Sequence, residues 1–284
     1  MVFILDTCTI NNLLQVDLIS TEEDYELEYD YLSKINQNFK IKLPKKNYDE
    51  LKNTFEKNLS DGNQIKFIRN YISKNIFTYL SPLNNDDFDS SLSFIRRACP
   101  KYKDKDNGEL HSTAFALYLN RYENSLAFHT YFVTDDDEAI LDFQNFFKNN
   151  FLGEILTTID LLLVLSVYEI ISYKNVIDFA ENLKKQYMKN HNNLLTNIQK
   201  LQESKLPPKE SSFLTNLYEN INSLNFEKLQ QDITRPQYAN IKRREKNIDI
   251  LLQEILKDDS NKVSIINSKI NEIKSQHWTM DKII

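Results

Sequence analysis

Glycine and proline are scarce in this chain, three Gly and six Pro among 284 residues. All-β sandwiches and barrels need many tight turns, so the shortage predicts a helix-rich protein. Long apolar runs are missing too. Even the stretch Leu161 to Val167, interrupted only by Ser166, falls short of the ~18 residues of a membrane-spanning helix and reads as core. Met1-Val2-Phe3-Ile4-Leu5 lacks the basic region, the length and the small-residue cleavage site of a secretory signal. It is expected to be a buried first strand, in a cytoplasmic protein with no membrane partner. Two cysteines, Cys8 and Cys99, could pair in principle; without an export signal they are expected as reduced thiols. There is no glycine-rich phosphate loop, Gly-x-Ser-x-Gly elbow, His-Glu-x-x-His or Cys-x-x-Cys, and the four histidines show no ligand spacing.

What is present is an apolar fraction of 41% with 12% aromatics, enough for a packed core in one large domain or two small ones. The formal net charge of −6 is uneven. Residues 186–284 hold 15 Lys+Arg and 12 Asp+Glu, a net of +3, which leaves −9 for residues 1–185. An acidic total ordinarily counts against nucleic-acid binding. It weighs less where carboxylates hold cations, because bound metal inverts the local charge.

Residues 1–185 read as alternating strand and helix. Val2 to Leu5 is a buried strand, and Ile10, Leu13 and Leu14 then repeat at helical spacing with Asp6 or Thr7 as the cap. Phe39 to Leu43 alternates apolar and polar, and Pro44 opens a helix carrying Tyr48, Leu51, Phe55 and Leu59. Helices are expected over 63–80 and 86–99, then a basic loop over 101–108 and a helix from Glu109. Phe128 to Val133 is β-rich, 138–148 helical, and Ile155 to Thr158 a last strand; helices 159–170 and 173–187 follow. This alternation predicts an α/β fold with a central parallel sheet. Beyond residue 186 only helical pattern remains, over about 186–204, 210–232 and 238–276, an accessory module for oligomerisation, RNA or partner binding. In the last stretch Ile241, Ile248, Leu251, Leu252, Ile255 and Leu256 form an apolar stripe that suits an antiparallel hairpin or coiled coil.

Parallel sheets gather functional side chains at the carboxyl ends of their strands. Asp6 follows the first strand, Asp135-Asp136-Asp137 follow another, Glu50 lies about two turns into the helix after the second, and Glu109 opens a helix. Carboxylates held together repel unless something neutralises them, and a hard divalent cation does so. Such an ion serves the in-line displacement at a phosphodiester. The expected site is therefore a cation held by Asp6, Glu109 and Asp136, with Glu50 or Asp135.

With those residues in place, the chain resembles the PIN-domain family of nucleases. Val2-Phe3-Ile4-Leu5-Asp6-Thr7 looks like that family's opening strand with its first catalytic Asp. Leu43-Pro44 through Tyr48-Asp49-Glu50-Leu51 is similar to its second strand-to-helix step. Asp106-Asn107-Gly108-Glu109 resembles the Asp-x-Gly-Glu form of the third acidic position, and Val133-Thr134-Asp135-Asp136 the fourth. The resemblance covers roughly residues 1–185. It implies a PIN-like three-layer fold and a Mg²⁺- or Mn²⁺-dependent nuclease, most often an endoribonuclease and often a toxin. It thus brings in RNA ahead of single-stranded DNA as substrate, and an antitoxin or a second copy as partner. The wide gap between Glu50 and Glu109 departs from compact members, and residues 186–284 lie outside the resemblance.

Each residue has a plainer explanation beside it. Asp6 and Thr7 could merely cap a helix, Glu50 could be solvated, and Glu109 is favoured in a first turn by the macrodipole. Asp137 reads as a solvated cap. Thr7, Thr134, Arg96, Arg97, Lys103 and Lys105 could hold substrate near the cation, although basic runs are more often solvated surface. Lys242-Arg243-Arg244 with Tyr238 invites a phosphate-and-stacking role, or just a polar helix face. His111 is expected at the surface, and Trp278 could anchor the tail. Two rivals remain: a PIN-like scaffold that has lost activity, and a phosphatase of the haloacid dehalogenase type. The latter wants Asp-x-Asp where this chain has Asp6-Thr7-Cys8.

Overall fold

Four consecutive apolar residues, Val2–Leu5, form strand β1, and each is 0% exposed. A strand buried on both faces needs strands beside it and helices over each face, which is the setting of a parallel sheet. In a computed structural model describing every residue except 23, 60, 124–129, 257–259 and 276–284, β1 pairs in parallel with β4 (Lys40–Lys42) and β5 (Thr130–Val133). Strand β5 pairs in parallel with β6 (Glu154–Leu156), giving the order β4-β1-β5-β6. The chain leaves β1 toward one side to reach β4 and occupies the other side with β5. The sheet thus has a switch point at β1, and the crevice outside its carboxyl end is where such sheets place ligands. A separate antiparallel pair, β2 (Leu18–Ser20) and β3 (Tyr25–Leu27), was not foreseen from the sequence.

Helices cover both faces. Alternate residues of a strand point to opposite sides. Val2, Ile4 and Phe132 accordingly pack with α5 (Asn85–Ala98), α6 (Gly108–Tyr122) and α7 (Asp137–Asn149), through Leu92, Ile95, Phe115, Phe143 and Phe147. On the other side Phe3 stacks on Tyr131 at 5.4 Å and meets Phe39 edge-on at 5.5 Å. The remaining helices of this part are α1 (Thr7–Asp17), α2 (Tyr31–Asn38), α3 (Lys45–Thr54), α4 (Gly62–Lys74), α8 (Thr158–Val167) and α9 (Tyr173–Tyr187). The α/β character and the parallel sheet agree with the sequence pattern. Details differ: the helix expected over 63–80 stops at Lys74 and gives way to a 3-10 turn, Ile76–Tyr79. The expected strand 155–158 ends at Leu156, because Thr157 and Asp160 form a reciprocal capping box that draws the chain into α8. Residues 128–129 of the expected β-rich segment and Trp278 lie outside the described residues.

The chain divides into two compact units between Phe179 and Ala180, inside α9, whereas the sequence pattern changes after residue 185. The second unit contains α10 (Lys189–Gln202), α11 (Pro208–Asn222), α12 (Phe226–Asp232), α13 (Pro236–Arg244), α14 (Lys246–Glu254) and α15 (Ser260–Lys274). Its core joins Leu194, Ile198, Leu214, Leu217, Ile241, Ile248 and Leu252. The expected helix 210–232 breaks where Leu224 takes φ 55, and the expected helix 238–276 breaks at Glu245, whose carboxylate caps α14. The apolar stripe therefore folds back into a bundle instead of running on as one long helix. Among the described residues no helix is long and apolar enough to cross a membrane.

One position in the sheet tolerates no side chain. Gly153 precedes β6 with φ +105, and a Cβ there would stand 1.8 Å from the carbonyl oxygen of Thr130. Gly153→Ala is expected to destabilise the protein by more than about 1 kcal/mol, seen as a fall of several degrees in the thermal unfolding midpoint. An unchanged midpoint would show that β6 is not held at β5 in this register.

Candidate active site

The end of β1 positions the first carboxylate. Asp6 is extended, 6% exposed, and caps α1. Its Oδ1 accepts the Thr7 N–H at 2.8 Å and the Asn47 side-chain amide at 3.3 Å; its Oδ2 accepts the Thr134 hydroxyl at 2.9 Å and the Cys8 thiol at 3.3 Å. Burial raises the Asp6 pKa, the bonds from Thr7, Cys8 and Thr134 pull it back, and the Asp136 charge raises it again, leaving it above the usual carboxylate value. Burial, with the charges of Asp6 and Asp135, lifts the Cys8 thiol well above its ordinary value, so it stays protonated as a donor. Thr134 is fixed by accepting the Asp136 N–H at 3.1 Å while donating to Asp6.

Three more segments carry carboxylates that couple electrostatically to Asp6. Glu50, on α3, accepts the Gly108 N–H at 3.0 Å with Oε1. A Cβ at Gly108 would stand 2.6 Å from Glu50 Oε2, so the missing side chain makes room for this carboxylate. Glu109, in the first turn of α6, accepts the Tyr102 hydroxyl at 2.9 Å and the Asn107 amide at 3.2 Å, both at Oε2. Asp136 caps α7 through Oδ1, which accepts the N–H groups of Glu138 and Ala139 at 2.8 and 3.1 Å. Burial raises Glu50, and the Asp6 charge adds to it against the Gly108 N–H and Lys46. Burial likewise raises Glu109, with the charges of Asp136 and Asp6 adding to it against the Tyr102 bond and Lys105. Asp6, Glu50, Glu109 and Asp136 thus lie within reach of one another's fields although they are far apart in sequence.

The other residues singled out in the sequence fall into several places. Asp135 is turned the other way: it accepts from Asn12 at 2.7 Å, from the Thr158 N–H at 2.9 Å and from the Thr158 hydroxyl, tying α1 to the start of α8. Its geometry is that of a strut. Asp136, not Asp137, is the cap of α7. The Thr7 hydroxyl reaches the Asn47 carbonyl at 3.4 Å, a tie between α1 and α3. Arg96 donates to the Lys105 carbonyl at 3.1 Å and so shapes the basic loop, while Arg97 is exposed and reaches the Ser93 carbonyl of its own helix. Lys103 is exposed, and Lys105 lies over the Tyr102 ring at 4.4 Å. His111 holds Asp106 at 2.7 Å, which also takes Lys46 at 2.7 Å. In the second unit Tyr238 is 5% exposed and bonded to Asp249, Lys242 pairs with Asp249 at 2.8 Å, and Arg244 with Glu210 at 3.1 Å. These contacts hold the bundle together.

Asn47, Ser112, Tyr102 and Asp142 were missed from the sequence. Asn47 is 0% exposed, donates to Asp6 and to the Ser112 hydroxyl at 2.8 Å, and leaves its Oδ1 without a partner. A signal existed: Asn47 lies three residues before Glu50 and Ser112 three after Glu109, so each shares a helix face with a singled-out carboxylate. Tyr102 sits in a run of lysines and gives no such signal.

The chain matches no protein-family model, no curated protein and no solved structure. Among the described residues no three His, Cys, Asp or Glu side chains already stand together as a ligating group. The donors present are oxygens of the kind a hard cation takes: four acids and a buried Asn47 amide oxygen without a partner.

Groups whose pKa is raised by folding stabilise fully below their unfolded values, and that stability is lost as pH rises through the folded ones. Asp6, Glu50 and Glu109 behave this way, as does Asp17, raised to about 6 by burial despite three backbone N–H bonds. In EDTA the unfolding midpoint of the first unit is expected to fall between about pH 5 and about pH 8. Asp136→Asn keeps a capping oxygen and removes one repelling charge. It is expected to raise the midpoint at the upper pH by about 2–4 °C, the effect of about 1 kcal/mol in a domain of this size, and to flatten the decline. A midpoint lowered by Asp136→Asn at both pH values would mean that the four acids are not in mutual repulsion.

Proposed function

We propose that this chain is a metal-dependent nuclease of PIN-like architecture, an endoribonuclease acting as a toxin or antiphage effector. The observation that supports the proposal is the electrostatic coupling of Asp6 to Glu50, Glu109 and Asp136, carried by four separate segments, with each of the first three raised by burial and by a neighbour's charge. Carboxylates crowded at a sheet's switch point are costly to keep unless they serve a cation. Asp6, Glu109 and Asp136 would hold Mg²⁺ or Mn²⁺, with Glu50 completing the set; Asp135 acts as the strut behind it. When bound, such an ion supplies activated water and offsets charge at a phosphodiester.

The chain's own residues do the rest. Thr134, Cys8, Asn47 and the Thr7 N–H keep Asp6 in one orientation, so the site requires little reorganisation. Glu50 has Oε1 on the Gly108 N–H and a raised pKa, which suits its Oε2 to take a proton from the attacking water. Lys103 and Lys105 carry the positive charge that would meet the substrate's phosphates, in a loop braced by Arg96. RNA as the favoured substrate rests on the family resemblance, an association and not a physical argument. The helical unit, with its excess of Lys and Arg, is assigned to oligomerisation, RNA or an inhibitory partner.

Purified full-length protein, incubated with tRNA, mRNA, single-stranded DNA and duplex DNA, tests this. Cleavage is expected in Mn²⁺ or Mg²⁺, absent in EDTA, and reduced to the EDTA background by Asp6→Asn with Asp136→Asn in a protein of unchanged circular dichroism. Cleavage that survives both substitutions would reject the assigned site. A folded wild type that cuts none of the four substrates in either metal would favour a scaffold without activity.

A further inference from the structure

One buried hydroxyl touches the carboxylate cluster without yet having a task. Tyr102 ends the 3-10 turn Pro100–Tyr102 and is 1% exposed, with its ring centroid 4.5 Å from that of Phe143. Its hydroxyl lies 2.9 Å from Glu109 Oε2 and 3.0 Å from Asp142 Oδ2. A phenol owns a single hydrogen and can satisfy one of two carboxylates at a time. Lys101 Nζ stands 2.7 Å from the same Asp142 Oδ2, so Asp142 already has a cation. The phenolic hydrogen is left for Glu109. Asn107 donates to the same Glu109 oxygen at 3.2 Å, so both bonds converge on Oε2 and Oε1 receives neither.

We propose that Tyr102 is a positioning residue that fixes the orientation of Glu109 and turns its Oε1 toward a divalent cation, while Lys101 occupies the competing acceptor Asp142. The inference rests on the metal-binding proposal above. A neutral donor suits the task better than a basic one: it orients the carboxylate without neutralising the charge the cation needs, whereas a Lys or Arg there would compete with the metal. Lys101 stands one step back, on Asp142, and Lys105 lies over the Tyr102 ring, its charge reaching Glu109 only through the field. Packing alone does not account for the residue. The contact with Phe143 uses only the ring, and a Phe would serve it equally while leaving Glu109 without its hydroxyl donor.

Calorimetric titration of full-length protein with MnCl₂ tests the assignment, with thermal unfolding as the check on folding. Tyr102→Phe is expected to weaken Mn²⁺ binding by about ten- to a hundredfold, the range for a residue that orients a ligand. Glu109→Gln should weaken it as well, and adding Tyr102→Phe to Glu109→Gln should cause no further loss, because the tyrosine acts through that carboxylate. Asp142→Asn removes the competing acceptor and should leave Mn²⁺ affinity at or above wild type; a loss there would place the phenolic hydrogen on Asp142 and overturn the assignment, and this variant carries the test if Tyr102→Phe does not fold. Wild-type affinity in Tyr102→Phe would overturn the positioning role while leaving the metal site standing. The same loss in the Glu109→Gln background would reduce Tyr102 to a general structural part. A wild type that binds no Mn²⁺ would remove the metal-binding proposal and this one with it.

Discussion

Burying the Asp6 carboxylate at the end of a strand that is itself wholly buried constrains much of the first unit. Strand β1 has neighbours on both sides and helices over both faces, so the residue that follows it cannot reach bulk water easily. A buried charge requires donors close by. They come from the start of α1, from Asn47 on α3 and from Thr134 after β5, with Cys8 beside them. Each donor is in turn held by another bond: Asn47 by Ser112, Thr134 by the Asp136 N–H, Cys8 by the Asp135 N–H at 3.3 Å. The polar interior at this edge is a network organised around one carboxylate.

The bonds within that network orient the acids through neutral donors. The nearby ammonium groups are engaged elsewhere, Lys46 on Asp106 and Lys101 on Asp142 and Glu138, while Lys105 lies over the Tyr102 ring and acts on Glu109 only through its field. Neutral donors therefore face Asp6 and Glu109, and the acids keep raising one another. Folding carries this repulsion as a local cost, offset by the apolar layers that α5, α6 and α7 press against the sheet. Sites with such a conflict between stability and placement are where functional constraint is expected.

Some of this was legible in the residue order. The run Val2–Leu5 is consistent with a buried strand because it is short, wholly apolar and stopped by Asp6-Thr7. Glu109 after Asn107-Gly108 announces a helix start, and Thr134-Asp135-Asp136 a strand end. Other features left no trace. The division of labour among three consecutive aspartates depends on where each side chain points: Asp135 to Thr158 and Asn12, Asp136 to its own cap. Periodicity cannot separate neighbours one residue apart in a turn. The turn between α11 and α12 hinges on Leu224 at positive φ, a position where glycine would have been the signal and leucine hides it.

The sequence by itself determined the alternation of strands and helices in the first part, the helical character of the second, and which acids follow strand ends. These are local matters, set by side-chain period, caps and turn chemistry. Only the tertiary structure decided that β4 and β5 flank β1 on opposite sides, that Glu50 meets Gly108 across 58 residues of chain, and that the hydroxyl of Tyr102 lies between Glu109 and Asp142. Those contacts are chosen by how layers pack and which buried oxygens need a donor, and neither is written in the spacing of residues along the chain.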